Sequence, residues 1–250
     1  MNYVIITGAS KGLGEAVVKE LLQPNFHLIC VSRRAGEFPN EQELNGAKLD
    51  FIPYDLSNID KIDELTETIF SKVDKEGATS IHFINNAGVL TPMKPLDRCE
   101  PGEIVMNLNV NLVAPMLLTS LFIKNTKDLP LDKRVINISS GAGKHPIYGW
   151  SCYGASKAGI NLMSQTGALE QEEVQNPVKI VSFAPGIIDT QMQQQIRSSK
   201  KEDFAQVDRF IDYKNEGQLL QPETVARVVG ELLTMEAFPN GQVVSVNEYL

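Results

Sequence analysis

"TGASKGLGEAVVKELL", residues 7–22, places glycines at 8, 12 and 14 between an apolar run and a stretch with helical spacing. Such spacing lets the chain turn sharply out of a strand, approach a pyrophosphate closely and aim a helix N-terminus at its charge. Glycine triplets alone are weak evidence. Here "YVIITG" before them reads as a strand, Val17, Val18, Leu21 and Leu22 read as one helical face, and a second apolar run begins near His27. That is the strand–helix–strand context the motif requires.

Working outward, short runs rich in Val, Ile and Phe recur: "HLICVSR", "KLDFIPYD", "IHFINNAG", "RVINISS", "KIVSFAPG" and "QVVSV". Most are continuously apolar, as strands covered on both faces are. Helical spacing fills the gaps, for example Ile62, Leu65, Ile69 and Val73. The expectation is an α/β chain with a Rossmann-type, doubly wound, seven-stranded parallel sheet and helices on both faces. No linker, repeat or composition break divides residues 1–250, so one dinucleotide-binding domain is expected. The polar, Gln-rich stretch near 190–220, including "TQMQQQIRSSKKEDF", departs from the alternation and reads as a mobile helical flap over a site.

Bulk composition agrees with a globular domain: 250 residues, 42% hydrophobic, 22% charged, net charge −8. Basic residues are scattered, clustering no further than doublets such as Arg33-Arg34 and Lys200-Lys201, which argues against nucleic acid as a partner. Cysteines at 30, 99 and 152 have neither disulfide-framework nor zinc spacing, so no metal is expected and a reducing compartment is. The longest apolar stretch, near Leu112 to Ile123, is short of a membrane span, and the N-terminus has no leader pattern. A cytoplasmic protein without membrane association is the expectation.

The cofactor end is read from charge. Where an NAD site presents an acid to the ribose about twenty residues past the glycines, this chain has Ser32, Arg33 and Arg34. A guanidinium donates paired hydrogen bonds to a 2′-phosphate that a carboxylate would repel. With Lys11 on the same side, NADP(H) is favoured, Arg33 being the lead contact and Arg34 either a second or a solvated charge. Asp55 in "PYDLS" is placed to accept from an adenine amino group, and equally to cap the helix that follows.

The motifs "TGASKGLG" (7–14), "NNAG" (85–88), Asn111 in "NVNL", Ser140 in "NISS", "YGASK" (153–157) and "PGIIDT" (185–190) together resemble the short-chain dehydrogenase/reductase family. "GWSCYGASK" and "PGIIDTQMQQQIR" are similar to its sepiapterin reductase branch. The resemblance implies cofactor contacts from Gly8, Ser10, Lys11, Gly12, Leu13, Gly14, Arg33, Asp55, Leu56, Asn86, Ala87 and Gly88. Pro185, Gly186, Ile188 and Thr190 would hold the nicotinamide end together with Tyr153 and Lys157. It also implies Tyr153 as proton donor, Lys157 as the cation beside it and on the ribose, Ser140 as carbonyl ligand, and Asn111 as holder of a water. Tyr153 and Lys157, at i and i+4, share one helix face, and an ammonium there favours ionisation of a phenol whose ordinary pKa is about 10. Ser140 rather than its neighbour Ser139 has the family's thirteen-residue separation from Tyr153.

Trp150 and Met192 are candidates for the substrate wall, Trp150 equally for loop packing. Sepiapterin reductases carry a pterin-binding aspartate in the last strand. The corresponding position here is Ser245, with Asn247 the nearby polar alternative. Losing a charge-assisted contact worth about 1.5–3 kcal/mol favours an uncharged aromatic ketone or 1,2-diketone over a pterin. The expected activity is NADPH-dependent reduction of such a ketone. The alternatives are a sepiapterin reductase and a non-catalytic NADPH sensor. By resemblance, helices near 107–125 and 153–174 would form a homodimer contact.

Overall fold

The structure is a computed structural model, described here for residues 1–37, 44 and 46–250. Among these, β1 (Asn2–Thr7), β2 (Phe26–Ser32), β3 (Lys48–Pro53), β4 (Ser80–Asn85), β5 (Asp132–Ile138), β6 (Lys179–Ala184) and β7 (Val243–Ser245) form one sheet. Its order is β3-β2-β1-β4-β5-β6-β7 and each pairing is parallel. All seven apolar runs noted in the sequence are strands of this sheet.

Alternation along each strand divides the core into two layers. Val4 and Ile6 of β1 point to one face, where α1 (Gly12–Glu20) and α8 (Pro222–Thr234) pack through Val17, Val18, Val225, Val229 and Leu232. Tyr3 and Ile5 point to the other, under α2 (Ile62–Phe70) and α4 (Ala114–Thr126), which contribute Leu65, Ile69, Leu118 and Phe122. Helices on both faces explain why the strands lack polar alternation.

α3 (Pro101–Leu108) runs into α4 through a π turn at Asn109–Val113. The continuous helix Pro101–Thr126 has 26 residues, longer than the apolar stretch in the sequence suggested, and by length and composition alone it could cross a membrane. Ala114, Leu118 and Phe122 are instead buried against the sheet. Val105, Met116 and Leu117 remain exposed, as do Leu162 and Leu169 of α5 (Ser151–Glu170).

The 190–220 stretch contains α6 (Gln191–Arg197) and α7 (Val207–Asn215). Its two feet are clamped together: Asp189 N donates to Leu220 O, and Leu220 N to Ile187 O, both at 2.9 Å. Ile196, Phe204, Val207 and Phe210 form a small third core with Leu90, Trp150 and Tyr153.

Candidate active site

In a doubly wound sheet the crevice lies beyond the carboxyl ends of the strands, where the order reverses. Here the reversal falls between β1 and β4. The residues after the ends of the first six strands are Gly8, Arg33, Tyr54, Asn86, Ser139 and Pro185, all of which, with Asp55, border one cavity of about 1250 Å³. Parallel strands thus bring motifs scattered over the chain to a single edge.

At the first turn Gly8 and Gly12 have φ of +67° and +56°, a region open to glycine at little steric cost. Gly14 is constrained by contact: a Cβ there would lie 2.2 Å from Gly8 O and 2.5 Å from Asn86 Nδ2. Asn86 Nδ2 donates to Thr7 O (3.0 Å) and Gly8 O (3.2 Å), while Asn86 N and Ala87 N donate to Thr7 Oγ1 at 3.0 and 3.1 Å. The "NNAG" turn therefore braces the glycine turn. Ser10, Lys11, Leu13 and Leu56 border the cavity beside it, and Lys11 Nζ donates to Gln191 Oε1 at 3.1 Å, joining the turn to the start of α6.

Arg33 and Arg34 are exposed on the wall of the same cavity. Asp55 Oδ1 accepts from Ser57 N (3.0 Å) and Ser57 Oγ (2.9 Å). The Ser57 N–H, with help from the Arg33 charge, holds the Asp55 carboxyl below the usual range. Asp55 thus closes the local turn at Ser57 while bordering the cavity; it does not cap a helix, the following helical segments beginning after Asn58 and Lys61.

Tyr153 and Lys157 are both buried and border the cavity. Lys157 Nζ donates to Ile138 O at 2.8 Å and lies 5.7 Å from the centroid of the Tyr153 ring. Burial lowers the Lys157 pKa to about 8. Burial also pushes the Tyr153 phenol above its ordinary value, against the opposing effect of the nearby Ser140 hydroxyl. The ammonium therefore does not bring Tyr153 down by itself; near neutral pH the phenol carries its proton.

Of the two adjacent serines, Ser139 borders the cavity, but its hydroxyl turns inward and donates to Asn161 Oδ1 at 2.6 Å. Ser140 Oγ accepts from Ala142 N at 3.2 Å and lies near Tyr153, Ser140 itself not bordering the cavity. Asn111, central in the π turn, accepts from Val89 N at 2.8 Å and donates to Val89 O at 2.7 Å. This reciprocal pair fixes the chain beyond Gly88, where a Cβ would lie 3.3 Å from Asn111 Oδ1 and 3.8 Å from Lys157 Nζ. Single π turns of this kind often mark functional sites.

Pro185, Ile188, Thr190 and Met192 border the cavity near the feet of the 190–220 segment. Gly186, with φ +73°, sits against Val246 and Leu220 rather than on the wall. Trp150 is buried behind, with its ring edge-on to Tyr153, and Ser245 caps a turn, its Oγ accepting from Asn247 N at 3.4 Å. Neither is a wall residue. Leu90, Thr91, Met106, Val110 and Gln195 are wall residues that the sequence reading missed. Leu90 and Thr91 directly follow "NNAG", and Gln195 follows Gln191 by one helical turn; those adjacencies were the available signals.

The short chain dehydrogenase family model matches residues 2–201. The chain is 47% identical over 249 residues to benzil reductase ((S)-benzoin forming) of Bacillus cereus, covering 99% of this chain and 100% of that one. It is 29% identical to sepiapterin reductase of Bos taurus, covering 95% and 91%. Among solved structures it is similar to the KRED1-Pglu enzyme, with TM-score 0.81, 28% identity, and coverage of 98% and 100%. The family match over residues 2–201 and the 47% identity over nearly the whole length place the chain in the short chain dehydrogenase family, and it is an oxidoreductase of that family.

Proposed function

We propose that this chain is an NADPH-dependent carbonyl reductase acting on one ketone of an aromatic 1,2-diketone, of the kind that yields (S)-benzoin from benzil. The observation that carries the reading is geometric: Tyr153 borders a cavity of about 1250 Å³, roomy enough for a dinucleotide and a substrate, with Lys157 Nζ 5.7 Å from its ring centroid. The glycine turn fits the cofactor: its backbone is held close-packed by Asn86, leaving a helix N-terminus beside a cation-bearing wall.

When bound, NADPH supplies hydride. Arg33, aided by Lys11, holds the 2′-phosphate, and Arg34 adds charge at the same rim. Gly8, Ser10, Gly12, Leu13 and Gly14 follow the pyrophosphate, with Asp55, Leu56, Asn86, Ala87 and Gly88 along the adenosine half. Pro185, Gly186, Ile188 and Thr190 shape the nicotinamide end, with Gly186 supplying the turn rather than a contact. Ser140 and Tyr153 orient the carbonyl oxygen, and Tyr153 gives it a proton as negative charge builds there. Lys157 stabilises the resulting tyrosinate, and Asn111 keeps the chain beside it in register for proton resupply.

Among wall residues, Leu90, Met106, Val110 and Met192 offer apolar surface for aromatic rings. Ser245, committed to its cap, offers no carboxylate to a pterin. The homology to benzil reductase and the free thiols at Cys30, Cys99 and Cys152, which suit a reducing cytoplasm, support the same reading. The exposed apolar residues of α3, α4 and α5 suit a homodimer face. NADPH absorbance followed with benzil, other diketones, simple aldehydes and sepiapterin tests the function. Turnover of benzil well above sepiapterin is expected; faster sepiapterin turnover makes this a pterin reductase, and no oxidation with any of them makes it a binding protein.

A further inference from the structure

Trp150 stands three residues before Tyr153 at the start of α5, and it contacts the tyrosine without bordering the cavity. The ring centroids are 5.5 Å apart with an interplanar angle of 77°. The other partner of the indole is Phe204 of the 190–220 segment, stacked at 5.2 Å and 8° and wholly buried. Phe210 closes on both, 5.6 Å from Trp150 and 5.4 Å from Phe204. Polar contacts pin the same stretch from outside the cluster. Arg98 forms an ion pair with Asp203 at 2.8 Å, and Gly149, at φ +78°, lies where a Cβ would be 2.5 Å from Asp203 O.

The indole Nε1 is buried with no hydrogen-bond partner among the described residues. An unpaired buried donor costs about 1–3 kcal/mol, so this ring is not held for its polar atom. What the site uses is its flat area, stacked on Phe204 and set at 77° to the ring of Tyr153. The segment that supplies Phe204 also supplies Met192 and Gln195 to the cavity wall. One piece of chain therefore touches the substrate space and, through Trp150, the ring of Tyr153.

We propose that Trp150 is a positioning residue: clasped by Phe204 and Phe210, it fixes the orientation of the Tyr153 ring, so that the seating of the 190–220 segment sets the geometry of proton delivery. The proposal rests on the reading of Tyr153 as proton donor. Ser140 constrains the phenol at its oxygen, whereas Trp150 constrains the ring plane, which a hydrogen bond at the hydroxyl leaves free to swing. A misplacement of about 1 Å at a reacting group can cost on the order of a hundredfold in rate.

The test is a double-mutant cycle on kcat with NADPH and benzil, using Trp150→Ala, Phe204→Ala and the pair. Each single variant is expected to lose about 10–100-fold in kcat with the KM for NADPH unchanged. Because Phe204 acts through Trp150, the pair is expected to be no slower than Trp150→Ala alone. Trp150→Phe, which keeps an aromatic face, is expected to retain kcat within about threefold. Multiplying losses in the pair, or a Phe204→Ala effect confined to KM, would overturn the proposal. If circular dichroism shows Trp150→Ala unfolded, Trp150→Leu takes its place with the same outcomes for and against. An active Tyr153→Phe enzyme removes the donor reading itself. Multiplying losses in an enzyme that Tyr153→Phe inactivates remove only the positioning role.

Discussion

The Lys157 ammonium lies 5.7 Å from the centre of the Tyr153 ring and donates to the carbonyl of Ile138, the last residue of β5. The cation is thus tied to the sheet edge rather than to the phenol. In the proposed reaction it would meet negative charge on Tyr153, whose burial favours the protonated phenol, once the proton passes to a carbonyl.

That arrangement sets the pH dependence of reduction. Burial brings Lys157 down to about 8, so its charge is present below that pH and lost above it. The expected profile of kcat/KM for NADPH is level near neutrality and falls above about pH 8, since this parameter reports the groups of the free enzyme. A pH series at saturating ketone checks it. Lys157→Met should remove the inflection along with about 100-fold or more of the activity.

Cofactor choice depends on the rim. Arg33 is exposed on the cavity wall near the Asp55 carboxylate, so replacing its charge alters recognition with little effect on packing. Arg33→Asp is expected to shift the NADPH-to-NADH ratio of kcat/KM by about 1.5–3 kcal/mol, the value of a charge-assisted contact, with the melting temperature nearly unchanged. Initial rates with both cofactors measure the shift.

The glycine turn is the most intolerant part of the cofactor site. Gly14→Ala places a methyl 2.2 Å from Gly8 O and 2.5 Å from Asn86 Nδ2, both held in the brace between the first and fourth strands. Overpacking of this kind costs about 1–3 kcal/mol. Binding of NADPH, followed by fluorescence titration, should weaken more than about tenfold while circular dichroism still shows the folded sheet.

Leu162 and Leu169 of α5 are 66% and 63% exposed, on the helix that carries the catalytic pair, and Met116 and Leu117 of α4 add to the apolar surface. Leu162→Arg is expected to convert a dimer to a monomer in sedimentation velocity. The expectation rests on the proposed homodimer, in which an apolar face of this kind would be covered.

The sheet was legible because its strands are buried on both faces and so read as unbroken apolar runs; β3, with its exposed end at Pro53, still shows the pattern through Leu49, Phe51 and Ile52. That Tyr153 and Lys157 share one face of α5 and border the same cavity was legible from local spacing. Other features arise from contacts between distant parts of the chain, which periodicity does not encode. Trp150 meets Phe204 across the 190–220 excursion, and its burial behind Tyr153 follows from that stacking rather than from its position in "GWSCYG". The π turn around Asn111 is accompanied by a reciprocal pair of hydrogen bonds with Val89, and nothing in "NVNL" distinguishes it from a plain helical turn. Cys152, which has no role in the sequence reading, is buried with its thiol against Cys99, and burial followed by that neighbour raises its pKa.

The central claim is that Tyr153 gives the proton during hydride transfer to a ketone. Its direct test is single-turnover NADPH oxidation with benzil in Tyr153→Phe, alongside a titration of NADPH binding to the same variant. The expected result is cofactor binding within about threefold of the unmodified protein and a rate at least about 100-fold lower. Oxidation at an undiminished rate, with NADPH bound as before, would contradict the account.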